Sequence, residues 1–403
     1  MKKKLFALMM AMVMVLSLAA CGGDSGTTDD TTDDTTNDAT NDASNTTGTA
    51  GGTFKIGTIG PLTGDNAIYG QAVANGAKIA VDEINAAGGD IQFELQSEDD
   101  VADGETSVNA YNTLMDWGMQ MLVGPTTTGA SIAVSSVVNE DRTFMLTPSG
   151  SSTDIIDGKD NVFQVCFTDP NQGTGAADYM AENMSGAKVA VIYQNDIAYS
   201  QGIRDTFVAE AEAKSLEVVY KGTFTADTKS DFSVQLTAAQ SAGADLLFLP
   251  IYYQEASVIL NQANQMGYTP TFFGVDGMDG ILTLSGFDTS LAEGVMLLTP
   301  FSADAEDERT QTFVKTYEEQ FGEIPNQFAA DAYDAVYILK AALEAAGCTA
   351  DMSAVDICEA LVPVMPTITV DGLTGQGMTW DASGAVSKAP MAVVIENGVY
   401  VLP

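Results

Sequence analysis

The chain has 403 residues, a formal net charge of −39 and no histidine. The negative electrostatic field of such a chain repels phosphate backbones, which argues against a nucleic-acid partner. The lack of histidine excludes triads with a histidine base, histidine zinc sites and histidine acid–base chemistry, and no metal or cofactor is predicted.

The first twenty residues have the pattern of an export signal. Lys2, Lys3 and Lys4 precede an apolar run, which ends in Leu18-Ala19-Ala20-Cys21. The run has about 16 residues, fewer than the roughly 20 of a spanning helix, so a cleaved signal peptide over residues 1–20 is favoured over a membrane anchor helix. The four residues ending at Cys21 resemble the lipobox of bacterial lipoproteins, which implies lipidation of Cys21 and attachment to a membrane through that lipid.

Residues 21–52 follow as an acidic segment of Thr, Asp, Asn, Gly and Ser, with no aromatic or large aliphatic side chain. Such a segment cannot bury enough apolar area to offset its ordering entropy. We therefore predict a disordered tether between the lipid and a folded body.

From residue 53 onward, strand and helix patterns alternate. Helix periodicity is clear over residues 69–87, where Val73, Ala77, Val81 and Ile84 share one face, and again over residues 107–117. Apolar runs predict strands at 53–59, 91–95, 119–123, 144–147, 162–167, 188–193, 245–250, 271–273 and 295–298. Repeated βα units indicate parallel sheets with helices on both faces, and ligands bind such sheets at the carboxyl ends of the strands.

Four loops at these strand ends share a composition. They are residues 60–64, 124–129, 147–152 and 274–277, and they combine glycine with hydroxyl or acidic side chains. Two of them lead into helix N-termini, where free N–H groups attract an anion such as a carboxylate. Taken singly, the hydroxyls could serve only as helix caps.

A set of motifs in fixed order resembles a known family, the branched-chain amino acid (Leu/Ile/Val) binding proteins of ABC transporters, which are type I periplasmic binding proteins, here in lipoprotein form. The motifs are Ile59-Gly60-Pro61-Leu62-Thr63-Gly64, Tyr69-Gly70, residues 80–85 with Gly88-Gly89, Val123-Gly124-Pro125, Thr147-Pro148-Ser149, Tyr199-Ser200-Gln201-Gly202, residues 273–277 and residues 373–381. The resemblance runs from Ile56 to the C-terminus.

The resemblance implies an α/β fold with two doubly wound parallel-sheet lobes joined by a three-crossing hinge. We place the crossings near Thr168, Thr299 and Leu373. Lobe 1 then comprises residues 53–168 plus 300–373, and lobe 2 comprises residues 169–299 plus 374–403.

The resemblance also implies a ligand site between the lobes. Thr128, Ser149, Gly150 and Ser151 would hold a carboxylate, and Asp276 with the Ser149 carbonyl would meet an ammonium group. Tyr199 and Tyr252 would close over the ligand, while Tyr69 and Phe328 would shape its side-chain pocket. Pairing both charges is what a desolvated zwitterion requires.

Two positions depart from the family pattern, and three cysteines need an assignment. Ala102 and Thr127 stand where enteric relatives have a disulfide, and Asp276 stands where a glutamate is familiar. Cys166 lies in an apolar run and is predicted to be a buried thiol. Cys348 and Cys358 could pair outside the cell, but spacing alone leaves this open.

The resulting hypothesis is an extracytoplasmic, monomeric binding protein that captures an amino acid, aliphatic or branched-chain, and passes it to the permease and ATPase subunits of an ABC importer. Binding of urea, short amides or another small carboxylate is an alternative, as is a ligand-sensing surface lipoprotein. An enzyme is disfavoured, because adjacent carboxylates such as Asp99 and Asp100 point in opposite directions on a strand.

Overall fold

A computed structural model describes residues 52–403. The predicted signal peptide, Cys21 and nearly all of the predicted tether lie outside these residues. Within the described part of the chain, no helix is both long and apolar enough to cross a membrane.

Strands and helices alternate along most of the body. The strands are β1 Phe54–Gly60, β2 Phe93–Asp99, β3 Met121–Val123, β4 Phe144–Thr147, β5 Val162–Gln164, β6 Lys188–Gln194, β7 Glu217–Phe224, β8 Leu246–Leu249, β9 Thr271–Gly274, β10 Met296–Thr299, β11 Met391–Glu396 and β12 Val399–Val401. The helices are α1 Ala67–Ala87, α2 Gly104–Trp117, α3 Thr128–Asp141, α4 Asp169–Asn183, α5 Ala198–Ala213, α6 Ser233–Ser241, α7 Tyr253–Gln265, α8 Glu308–Phe321, α9 Gln327–Ala346 and α10 Ala354–Leu361.

The first sheet has the order β2-β1-β3-β4-β5, and all its strands are parallel. Alternate residues of a strand enter different cores. In β3, Met121 and Val123 join the core that contains α1 and α9, whereas Leu122 joins the core between the sheet and α2 and α3. Both faces are therefore covered, as a parallel sheet requires. This sheet with α1–α3 and α8–α10 is called the first lobe below.

The second sheet has the order β12-β11-β10-β9-β8-β6-β7. Strands β6 to β10 pair in parallel, and β11 and β12 add an antiparallel edge. We did not predict β7, β11 or β12. Strands β7 and β12 lie at the two edges of this sheet and contain few buried residues. Strand β11 contains an apolar run over residues 391–395 that the prediction missed. This sheet with α4–α7 is called the second lobe below.

The chain passes between the lobes three times, which confirms the predicted fold class. It leaves the first sheet between β5 and α4, returns between β10 and α8, and crosses again along residues 370–390, called the third crossing below. Helix α9 packs along α1, and Gly76 permits this approach because a Cβ there would collide with the Ala329 backbone.

A buried ion pair fastens the third crossing to α9. The Lys388 ammonium lies 2.8 Å from an Asp331 carboxylate oxygen, and both side chains are 2% exposed. Lys388 also donates to the Thr374 hydroxyl at 2.5 Å. Asp334 accepts from the backbone N–H groups of Leu373 and Thr374 at 2.8 and 2.9 Å. The third crossing is thus held to the first lobe by charge-assisted bonds.

The three cysteines among the described residues are free thiols. Cys166 is buried, as predicted, and Cys348 and Cys358 are buried without a disulfide between them.

Candidate functional site

Strand ends and helix starts of both lobes meet in a cleft. The loop after β1 is fixed by Asp99, which accepts from the Leu62 N–H at 2.8 Å and from the Thr63 hydroxyl at 2.6 Å. Four hydrogen-bond donors keep the pKa of Asp99 below its usual value. The loop leads into α1, and Tyr69 in the first turn of that helix therefore faces the cleft.

A small enclosed space, called the inner cavity below, lies between the lobes. Its volume is about 10 Å³, room for a single water molecule. It is lined by Tyr69, Thr126, Thr127, Thr128, Ser149, Tyr199, Tyr252, Asp276, Gly277 and Phe328. The structure thus brings together Tyr69, Thr128, Ser149, Tyr199, Tyr252, Asp276 and Phe328, residues from distant parts of the chain that the family resemblance had nominated.

Gly150 and Ser151, the other two nominated residues, lie behind this lining. The Gly150 N–H donates to the Thr147 hydroxyl at 2.8 Å. The Ser151 N–H donates to the Thr128 hydroxyl at 3.3 Å. Both amides therefore hold the loop in shape, and Thr128 reaches the cavity with its hydroxyl already accepting one bond.

The hydroxyl of Thr127 is a polar group that the sequence reasoning did not single out. Thr127 is the residue before α3, yet its side chain does not cap the helix. Its Oγ1 is buried and has no hydrogen-bond partner among residues 52–403. Thr127 and Thr128 therefore place the N-terminus of a fourteen-residue helix at the inner cavity. Such a terminus favours a negatively charged group.

Asp276 supplies the carboxylate of the site. It begins a short 3-10 helix after β9 and is 4% exposed. Its Oδ1 accepts from the Tyr199 hydroxyl at 2.5 Å and from the Gly277 N–H at 2.7 Å. Burial raises the pKa of Asp276 to about 7, against the opposing effect of these donors. These partners are neutral, and Asp276 forms no ion pair with a lysine or arginine among residues 52–403.

Aromatic rings from both lobes enclose this carboxylate. The rings of Tyr199 and Tyr252 stack with centroids 4.8 Å apart. The ring centroids of Tyr69 and Phe328 are 4.5 Å apart. The Tyr69 hydroxyl donates to the Gly277 carbonyl and so connects the two lobes directly. Gly277 must lack a side chain, because a Cβ would lie 2.5 Å from the Tyr199 hydroxyl oxygen.

A second buried carboxylate, Asp169, lies near the first and was also missed. It is 2% exposed in the first turn of α4. Burial raises its pKa well above the usual value, the Ser151 hydroxyl opposes this, and the Asp276 carboxylate raises it further. In the sequence, an acidic residue at this position is indistinguishable from an ordinary first-turn aspartate.

The cleft continues outward into a larger space of about 610 Å³, called the outer cavity below. It shares Thr127, Tyr199 and Tyr252 with the inner cavity. Val101 and Ala102 form part of its rim with φ values of 47° and 61°. A β-branched residue such as Val101 in this region costs about 1–3 kcal/mol. The Val101 and Ala102 N–H groups donate to the Asp99 and Asp100 carboxylates, and these bonds hold the turn.

Comparisons with known proteins agree with this geometry. Residues 53–398 match the family of periplasmic binding proteins. The Leu/Ile/Val-binding protein homolog 3 of Brucella melitensis is 33% identical over 333 residues, which cover 81% of this chain and 88% of the relative.

Two solved structures have a similar fold. LivJ of Streptococcus pneumoniae, a branched-chain amino acid transporter substrate-binding protein solved in complex with isoleucine, is 29% identical, with a TM-score of 0.77 over 87% of this chain and 100% of that one. The leucine-binding protein LivK of Thermotoga maritima is 27% identical, with a TM-score of 0.77 over 87% of this chain and 97% of that one. The chain therefore belongs to the periplasmic binding proteins and, among them, to the family of branched-chain amino acid ABC transporter substrate-binding proteins.

Proposed function

We propose that this protein is an extracytoplasmic lipoprotein that captures an amino acid, aliphatic or branched-chain, between its lobes and delivers it to the permease and ATPase subunits of an ABC importer. The relatives are substrate-binding proteins rather than enzymes, which supports a non-enzymatic role. In this proposal Cys21, which lies outside the described residues, carries the lipid.

The observation that carries the proposal is the environment of Asp276. A buried carboxylate with neutral partners and a pKa near 7 lacks a counter-charge. The α-ammonium group of an amino acid supplies that charge, and a hydrogen bond between charged groups in such a site is worth about 1.5–3 kcal/mol.

The other end of a zwitterion has a complementary place. Thr127 and Thr128 present hydroxyls and the start of α3 to the same inner cavity. The ligand carboxylate is assigned to this helix N-terminus, with Ser149 beside it. Behind it, the Ser151 N–H donates to Thr128 and the Gly150 N–H donates to Thr147. An aliphatic side chain would pack against Tyr69 and Phe328.

Binding requires the lobes to separate and close. The inner cavity of about 10 Å³ is too small to hold an amino acid, and the lobes touch directly between Tyr69 and Gly277. The lobes must therefore separate for a ligand to enter and close less tightly around it than they do here. Contacts between lobes, such as that from Tyr69 to Gly277, would break when the lobes separate and form again on closure. A ligand that bridges α3 and Asp276 therefore favours the closed form.

Calorimetric titration of the protein, freed of bound ligand by unfolding and refolding, tests this proposal. Leucine, isoleucine and valine are compared with the remaining amino acids, urea and short amides. Asp276→Asn should cost about 2–5 kcal/mol of amino acid affinity, because it leaves the ammonium group buried without a counter-charge.

Asp100→Asn is the matched control, since Asp100 is also fully buried but lies outside the inner cavity. It should leave affinity unchanged. Equal affinity of Asp276→Asn and the parent protein would refute the ammonium assignment, and a response to urea or amides alone would favour the alternative ligands. Cys21→Ser should release the protein from membranes; membrane retention of that variant would count against lipid anchoring.

A further inference from the structure

The outer cavity is much larger than the inner one and has a different character. Its lining includes Asp65, Asn66, Gln194, Asp196, Lys229 and Glu255. Three of these side chains are acidic and one is basic. Because the two cavities share the Thr127, Tyr199 and Tyr252 walls, a ligand held at Asp276 can extend from one into the other.

Two of the three acidic groups already have partners. Asp196 accepts from the Gln194 side-chain amide at 2.7 Å and from the Ala226 N–H at 2.9 Å. Asp65 lies 2.9 Å from the Lys229 ammonium, and this ion pair joins the loop before α1 to the second lobe.

Glu255 differs from these two because only one of its carboxylate oxygens has a partner. It lies in the first turn of α7, three residues after Tyr252, so both side chains lie on the same face of the helix start. Glu255 is 5% exposed, and its Oε1 lies 3.3 Å from the Lys229 ammonium. Its Oε2 is buried and has no hydrogen-bond partner within the described range 52–403. An unsatisfied buried acceptor is costly, which points to a donor supplied from outside the chain.

We propose that the outer cavity is a subsite for the far end of a ligand side chain, and that Glu255 there accepts a hydrogen bond from a side-chain N–H group. The inference rests on the proposed binding of an amino acid at Asp276. The shared chemistry is an N–H donor, which a carboxamide, an ammonium group or a guanidinium group provides. The site therefore accepts glutamine, lysine or arginine in addition to aliphatic amino acids.

The charges around Glu255 support this class of ligand. An N–H donor on the ligand side chain satisfies Oε2 of Glu255, while Lys229 keeps its bond to Asp65. A purely apolar side chain of the same length leaves the Glu255 oxygen unsatisfied. The volume of about 610 Å³ also exceeds what an aliphatic side chain fills.

The experiment compares glutamine, lysine, arginine, methionine and leucine by calorimetry on the full protein and on Glu255→Met. Methionine is close in length to glutamine but has no N–H donor. The variant should weaken binding of at least one donor-bearing ligand by about tenfold or more, while leucine changes less than about twofold. Thermal unfolding of the variant checks that it remains folded.

Lys229→Met is the second variant, because it removes the cation beside Glu255 without touching the inner cavity. Lysine and arginine should then bind more tightly than to the parent protein, or glutamine should remain bound as before. Equal losses for leucine and the donor-bearing ligands in Glu255→Met would show that Glu255 only holds the lobes together, and would overturn the subsite. Failure to bind any amino acid, leucine included, would instead overturn the proposed function.

Discussion

Two buried aspartates of this protein differ in the partners of their carboxylates. Asp331 at the third crossing and Asp276 in the inner cavity are 1% and 4% exposed. Asp331 faces the Lys388 ammonium at 2.8 Å. Asp276 faces a tyrosine hydroxyl and a backbone N–H. Burial raises the pKa of both, and Lys388 opposes that rise only at Asp331.

Under the proposed function, the difference separates a structural carboxylate from a binding one. At the third crossing the chain supplies its own cation to Asp331. At Asp276 the carboxylate is buried beside neutral donors, at a cost in stability that a bound ammonium group would offset. This contrast gives three predictions, in order of decreasing effect.

The largest effect is expected from Lys388→Met. The substitution leaves Asp331 buried without its cation, which should lower the free energy of unfolding by about 3–5 kcal/mol. Urea denaturation measures this change. Adding Asp331→Asn to the variant should restore most of the lost stability, because no unpaired charge remains. If the single variant is as stable as the parent protein, the ion pair has no structural role.

Asp276→Asn should have the opposite effect on stability. The pKa of Asp276 rises from 3.8 in the unfolded chain to about 7 in the fold. The carboxyl group therefore stabilises the fold fully below pH 3.8, and this contribution is lost as the pH rises through 7. At pH 8 the variant without ligand should be more stable by up to about 4 kcal/mol. Denaturation of the variant and the parent protein at pH 4 and pH 8 measures this difference in stability. A variant less stable than the parent at pH 8 would contradict the proposed environment of Asp276.

The smallest effect is the pH dependence of ligand affinity. An ammonium group pairs with the ionised form of Asp276, so binding should be strongest above pH 7. Below pH 7 the affinity should fall by about tenfold, or 1.4 kcal/mol, for each pH unit. Calorimetry between pH 5 and pH 9 measures this slope, and Asp276→Asn should abolish it. The same slope in both proteins would assign the titration to another group.

Sequence patterns were most informative where a strand is buried on both faces. Strand β4 was predicted with its observed bounds, Phe144–Thr147, because each of its residues is apolar or lies next to a turn. Strand β7 was missed, since only two of its eight residues are buried and Lys221 and Gly222 interrupt the apolar pattern. Edge strands lack the continuous burial that produces a readable apolar run.

The residues that line the inner cavity were predictable as far as the family resemblance reached. Tyr69 and Phe328 are far apart in sequence, and only the packing of α1 against α9 brings their rings together. The burial of Thr127, Asp169 and Glu255 with unpaired polar atoms was not predictable. Each resembles a common helix-start residue, and only burial without an adequate partner sets it apart.

The aromatic composition of the cleft has a consequence for spectroscopy. The chain has two tryptophans. Trp117 lies at the end of α2 beneath Lys55. Trp380 lies within the third crossing, and its indole donates to the Gln164 carbonyl in β5 of the first lobe. Neither lines the inner cavity, whereas Tyr69, Tyr199 and Tyr252 do. Opening and closing of the lobes should therefore alter the near-ultraviolet circular dichroism of tyrosine while tryptophan emission stays nearly constant.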